Sequence, residues 1–206
     1  MKIAILGGTG SFGRALAGRL HRLGEEVTIG SRDPNRAHEL ATVLGVRGAT
    51  NEDAVQGTDF VVLSVPSSAA LHTARDLAPA IGDTPLLCVA SDLRFTANGV
   101  EPGRYERSLA EEVAEIVSGP VASGYQSLAA AGLAGPEPPD EDVFVCGDEP
   151  AAKDIALELG SRLVAGRAID AGPLANSRGL EAMTAILLNV NRRYGVHAGL
   201  RVTGLP

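Results

Sequence analysis

The chain has 206 residues, 45% of them hydrophobic, and 18 Lys+Arg against 25 Asp+Glu give a formal charge of −7. That is apolar enough to bury a core, which excludes global disorder, and at roughly 150 residues per domain it allows one large domain with a small appendage. The acidity excludes nucleic acid as the main partner, because phosphate backbones require clustered Lys and Arg.

Lys2 to Leu6 is a short apolar run, as expected of a strand buried on both faces. Phe12, Leu16, Leu20 and Leu23 then recur at helical spacing, and Gly24 closes the helix. Glu26 to Gly30 reads as a second strand. Asp33-Pro34 supplies an N-cap and a first-turn proline for a helix to about Leu44. Val46 to Ala49 is a short extended segment, and Asn51-Glu52-Asp53 starts another helix. Asp59 to Val65 is the clearest buried strand; Ser67 or Ser68 caps a helix to Ile81, and Pro85 to Ala90 is the next strand. Strands alternating with helices predict βαβ units on a parallel sheet.

Ser91 to Arg107, rich in Gly, Pro, Asn and Arg, reads as a long loop, followed by a helix over Ser108 to Val117 and a strand near Val121. Residues 132–142 carry three prolines and read as a linker. Beyond it come a strand at Val143 to Cys146, a helix from Ala151 to Leu163, a strand at Arg167 to Ile169 and a last helix from Pro173 to Arg193. The expected fold class is α/β, a Rossmann-type doubly wound parallel sheet in residues 1–140 with a small C-terminal α/β unit in residues 141–206. Two cysteines, Cys88 and Cys146, cannot build a metal cage and read as small buried hydrophobes; no metal is expected. No apolar run reaches the ~18 residues of a membrane span and the N-terminus is not a signal peptide, so a cytoplasmic protein with no membrane partner is expected.

Gly8-Thr9-Gly10-Ser11-Phe12-Gly13 follows the first strand and opens the first helix. That is the context in which G-x-G-x-x-G binds a dinucleotide: one glycine makes the tight turn, one admits the pyrophosphate, one packs helix on strand, and the helix N-terminus offers unpaired N–H groups. Where an NAD site places a carboxylate at the end of the second strand, this chain has Ser31 and Arg32, with Arg36 one turn on. A hydroxyl and two guanidiniums suit a 2′-phosphate, which predicts NADP, and Thr9 adds a second hydroxyl. Ser64, Val65 and Pro66, ending the fourth strand, are expected to line the cofactor, as is Ser91 after the fifth.

Among the four histidines no triad, HExxH or Tyr-x-x-x-Lys pair can be assembled, so no catalytic acid–base residue is assigned. That absence suits a bare hydride transfer, which needs positioning above all. On the last helix Arg178, Glu181, Thr184, Leu188 and Arg192 share one face, and an Arg178–Glu181 pair would be an ordinary helix salt bridge. Arg192-Arg193, His197 and Arg201 make the C-terminus locally basic, which suggests an anionic ligand or partner.

The whole pattern resembles the coenzyme F420-dependent NADP reductase family. The resemblance rests on Ile3 to Gly10 with Gly13, Gly30-Ser31-Arg32, Asn51 to Ala54, Ser108 to Ile116, Val145 to Asp148, Asp170-Ala-Gly-Pro-Leu-Ala-Asn-Ser-Arg178, Leu188 to Tyr194 and His197 to Arg201. It implies a homodimer whose C-terminal unit contributes to the second-substrate cleft and to dimerisation. It also implies NADP on the glycine loop and coenzyme F420, a small-molecule redox partner, stacked on the nicotinamide. Arg178 and Thr184 match family positions near the deazaflavin. This chain departs from the family in Ser123-Gly124-Tyr125-Gln126-Ser127-Leu128, where a His is usual; Tyr125, Gln126 and Leu128 are therefore second-substrate candidates. Two other readings stay open: a reductase of another small acceptor (an imine, a flavin or a metal chelate) with Tyr125 as proton donor, and a non-catalytic NADPH-sensing module.

Overall fold

The computed structural model describes residues 1–103 and 106–205. Among the described residues ten strands and eight α-helices follow one another along the chain: β1 (Lys2–Leu6), α1 (Ser11–Arg22), β2 (Glu26–Ser31), α2 (Pro34–Leu44), β3 (Arg47–Thr50), α3 (Asn51–Ala54), β4 (Phe60–Leu63), α4 (Ser67–Ile81), β5 (Leu86–Cys88), β6 (Leu93–Thr96), β7 (Gly99–Pro102), α5 (Leu109–Ala114), β8 (Val121–Gly124), α6 (Ala130–Ala134), β9 (Val143–Gly147), α7 (Pro150–Leu163), β10 (Ala168–Asp170) and α8 (Ser177–Tyr194). Eight of the strands form one sheet in the order β10-β9-β8-β5-β4-β1-β2-β3.

From β3 to β8 every pairing is parallel; β9 lies antiparallel to β8, and β10 parallel to β9. The α/β sheet is therefore mostly parallel, with its last two strands reversed. Side chains alternate across it as the two-residue strand period requires. Ile3, Ile5, Val62 and Leu87 enter one core with α1 and α7, whereas Ala4, Leu6, Val61, Leu63 and Cys88 enter the other with α4 and α5. Both cysteines are free and buried as expected, and burial pushes each thiol up to about 12. No helix among the described residues is long and apolar enough to cross a membrane.

Local chemistry explains the best-defined boundaries. Asp33 caps α2 by accepting from the Asn35 and Arg36 N–H groups, with Pro34 at the first helical position. Ser108 and Glu111 form a reciprocal capping box on α5. By contrast, neither Ser67 nor Ser68 caps α4: Pro66 occupies the cap position and no side chain serves it.

Three expectations change. The span 91–107 holds the antiparallel hairpin β6–β7, turning at Ala97-Asn98; residues 104 and 105 lie outside the described residues. Its strands are four residues each and half exposed, too short and polar to stand out by periodicity. Residues 132–142 are no linker. The guanidiniums of Arg19 and Arg22 on α1 donate to the carbonyls of Pro136, Leu133 and Gly135, holding this stretch against the sheet's helical layer. Finally, the division at residues 140 and 141 is no break in the sheet, because β9 and β10 extend it through β8.

Candidate functional site

Strand order reverses around β1, and a cavity of about 540 Å³ opens there, beyond the carboxyl ends of the parallel strands. Thr9, Gly10, Ser11, Phe12, Ser31, Arg32, Arg36, Ser64, Val65 and Pro66 all line it. Gly8 and Gly13 do not: they make the loop possible from behind. A Cβ on Gly13 would stand 2.8 Å from the Gly8 Cα, and one on Gly8 would stand 2.7 Å from Ile29 Cγ2. Gly7 holds φ +77°, a conformation costly for side-chain-bearing residues.

Gly10 is the N-cap of α1, no side chain caps it, and no acidic residue lies in its first turn. The N–H groups of that turn therefore have no intrahelical acceptor, and Ser11 and Phe12 present them to the cavity. At the end of β2, Ser31 Oγ accepts from the Asp33 N–H at 3.1 Å, leaving its own hydrogen to donate. Asp33 also borders the cavity, but its carboxylate already receives the two α2 N–H groups. Among the described residues Arg32 and Arg36 have no ion-pair partner. A cradle of free N–H groups beside one hydroxyl and two free guanidiniums fits a dinucleotide with an extra phosphate. Asn51, Val89 and Ala90 line the same cavity and were missed from sequence, although Val89-Ala90 follow β5 as Val65-Pro66 follow β4.

A second cavity, of about 370 Å³, lies between α8 and the segment after β8. Gln126, Leu128 and Thr184 line it, with Leu188 from the same expected α8 face and His197 from the basic C-terminus expected to meet an anionic ligand; Ser127, Leu187 and Asn191 join them, which sequence reasoning did not assign to a substrate. Gln126 is fixed by its Nε2, which donates to the Ser123 Oγ at 2.8 Å and to the Cys88 carbonyl at 3.3 Å. Ser91 lines neither cavity. Its Oγ shares a 2.9 Å hydrogen bond with Thr184 Oγ1, which in turn donates to the Gln126 carbonyl. This hydroxyl pair, one residue past Ala90, joins the wall of the first cavity to that of the second.

Tyr125 and Arg178 are elsewhere. Tyr125 is 2% exposed, sits at φ 74°, and its hydroxyl donates to the Ala156 carbonyl at 2.6 Å. Burial raises its ionisation far above the ordinary phenol range, and it lines neither cavity, so it is no proton donor. Tyr125→Phe is expected to cost about 1 kcal/mol in urea denaturation, through one lost buried hydrogen bond, with unchanged turnover; a collapse of kcat in a folded variant would reverse this reading. Arg178 forms a two-pronged ion pair with Glu111, whose carboxyl it holds down at about 2, and lines neither cavity. The expected Arg178–Glu181 bridge does not form. Glu181 turns inward, accepting from the Leu109 N–H at 2.8 Å and the Asp92 N–H at 3.4 Å, and burial pushes it up to about 7.

Residues 2–89 match the family model described as NADP oxidoreductase, coenzyme F420-dependent. The F420-dependent NADP reductase of Methanothermobacter thermautotrophicus is 37% identical, over 100% of this chain and 96% of that protein. The chain belongs to the F420-dependent NADP reductase family. The enzyme of that name from Methanocaldococcus jannaschii is 35% identical over 100% of this chain and 99% of its own. A crystal structure of a putative F420-dependent NADP-reductase from Arthrobacter sp. FB24 superposes with a TM-score of 0.83 at 28% identity, covering 98% of this chain and 99% of that one. Family membership thus extends through both cavities, including the reversed strands.

Proposed function

We propose that this chain is an NADP-dependent oxidoreductase that moves a hydride between NADP(H) and coenzyme F420. The observation that carries the reading is the junction of the two cavities: a phosphate-binding cleft runs out at Val89-Ala90 where the Ser91–Thr184 bond begins the wall of a second pocket. When bound, NADP(H) would give up or take up the hydride and coenzyme F420 would be the other party to the transfer, with the accompanying proton exchanged with solvent.

The protein's part is positional. The α1 N–H groups take the pyrophosphate; Ser31, Arg32 and Arg36, with Thr9, take the 2′-phosphate; Val65 and Pro66 shape the wall along which the nicotinamide lies. Gln126, Leu128 and Thr184 seat the flat partner, and the largely apolar lining of Leu, Ala and Val residues around the junction excludes water. Residues 1–140 supply the NADP side and residues 141–206 part of the second cleft. The chain works in the cytoplasm as a homodimer; Ile186 (63% exposed) and Tyr194 (71%) on α8 and Phe95 (75%) on the hairpin packed against it supply apolar surface for pairing.

Mixing purified protein with NADPH and F420 should bleach the deazaflavin absorbance as F420H2 accumulates, with NADH far slower. NADPH oxidation with other acceptors but no bleaching of F420 would overturn the reading.

A further inference from the structure

Two successive residues after Ala90 are fastened to α8. Ser91 is held by its hydrogen bond to Thr184, and the Asp92 N–H reaches Glu181 Oε2 at 3.4 Å. Glu181 and Thr184 are three residues apart and so lie one turn from each other on one face of the helix. Glu181 is 4% exposed. Its other oxygen accepts from the Leu109 N–H at 2.8 Å, and the Ala110 N–H also bonds the carboxylate. A single buried carboxylate therefore joins three pieces of the chain: α8, the start of α5 and the backbone that leaves the wall of the first cavity.

Anchoring of the neighbouring elements does not depend on it. The start of α5 is also gripped by the Ser108–Ser177 hydroxyl pair at 2.6 Å and by the Arg178–Glu111 ion pair. The β6–β7 hairpin is docked further along α8 by Asn189, whose amide bonds both the N–H and the carbonyl of Val100, at 2.9 and 2.7 Å. What Glu181 adds is the bond at Asp92, beside the junction of the two cavities. At 3.4 Å that bond is long, so its strength follows the charge on the acceptor. The groups facing the carboxylate do not neutralise it. Asp92 repels its charge, Cys88 and Cys146 are un-ionised thiols, and Arg178 is taken by Glu111.

We propose that Glu181 is a positioning residue for the transfer: its carboxylate, with Thr184 one turn on, pins Ser91 and Asp92 to α8 and so holds the wall between the two cavities in register. The inference rests on the hydride-transfer reading and adds to it the group that fixes the junction. Glu181 lines neither cavity, so it acts through Ser91 and Asp92.

The test is the first-turnover rate of F420 bleaching by NADPH in the parent, Glu181→Gln, Ser91→Ala and the double variant, measured beside NADP+ affinity and urea stability. Glu181→Gln keeps the shape and one acceptor but turns an amide donor toward a backbone N–H. At pH 8 it should slow the first turnover about tenfold with NADP+ affinity unchanged. The ratio of parent to variant rate, in which titration of the ligands cancels, should fall toward one as pH drops through 7 and Glu181 takes up its proton. Stability should move the opposite way: a carboxyl raised in the folded state stabilises it most at low pH, and the parent loses that contribution as pH rises through 7 while the variant does not. A carboxylate that merely held the fold together would move rate and stability in the same direction. Because both fastenings hold one segment, the double variant should be slowed by less than the product of the two single effects. An unchanged first-turnover rate at pH 8, a rate ratio flat with pH, or loss of rate and stability together would overturn the proposal. Failure of the parent to bleach F420 would count against hydride transfer instead. Hydrogen exchange then decides the fastening: faster exchange in Glu181→Gln confined to the peptides holding Asp92 and Leu109 supports it, and unchanged exchange there removes it.

Discussion

Removing both guanidiniums at the end of β2, in the Arg32→Ala/Arg36→Ala variant, is expected to lower kcat/KM with NADPH about 100-fold while leaving NADH within a few-fold of the parent value. The two arginines are exposed and free of ion pairs, and they share the cavity with Ser31 and the first turn of α1. A charge-assisted hydrogen bond contributes about 1.5–3 kcal/mol when well shielded, and every 1.4 kcal/mol is tenfold. Solvent screening at this rim argues for the low end, about tenfold per arginine. Both nucleotides use the glycine loop and the α1 N–H groups equally, so only the contribution of the 2′-phosphate should disappear. Equal losses for NADPH and NADH would remove the 2′-phosphate from this corner of the cavity.

A second large effect concerns stability and pH. Glu141 is 6% exposed, and its Oε2 has no hydrogen-bond partner. Gly199 of the C-terminal segment sits directly on it: a Cβ there would stand 2.4 Å from Oε2. Burial pushes this carboxyl up to about 7, against a smaller opposing pull from the Leu200 N–H. A carboxyl whose folded value lies above its unfolded one near 4.5 keeps its proton longer in the native state. Stability from this group is therefore fully present below about pH 4.5 and declines as pH rises through 7. Glu181, raised likewise to about 7, adds to the same slope. Glu141→Gln should consequently gain about 2 kcal/mol at pH 8 relative to the parent, with little change at pH 5. Urea denaturation at the two pH values measures this directly. An unchanged slope in the variant would mean that Glu141 titrates like an exposed carboxylate.

Much of the first cavity could be read from sequence because its parts are local. A strand, a glycine turn and a helix start occupy twelve consecutive residues, Lys2 to Gly13, and Ser31 to Arg36 complete the corner within one further strand and turn. Each piece announces itself by short-range chemistry: apolar run, positive-φ glycine, Asp-Pro cap. The second cavity is assembled from residues near 126, 184 and 197, and no local pattern states that they meet. The misplacements have the same origin. Periodicity put Arg178 and Glu181 on one face and paired them, but Glu111 and the α5 N-terminus, some 70 positions earlier, claim them separately. Tyr125 looked available for chemistry because its environment, the Ala156 carbonyl and the buried face of α7, is supplied 31 residues later. By composition the prolines of 132–142 suggest a spacer, whereas two arginines of α1 give its carbonyls fixed partners.

The unbroken sheet has a bearing on rate. Many two-substrate enzymes bring their reactants together by swinging one lobe onto another. Here β5 and β8 are adjacent strands, and the 2.9 Å bond between Ser91 and Thr184 ties the loop leaving one to the helix behind the other. Any movement that opens or closes the space between the two cavities must therefore break that hydroxyl pair or disturb the pairing of β5 with β8.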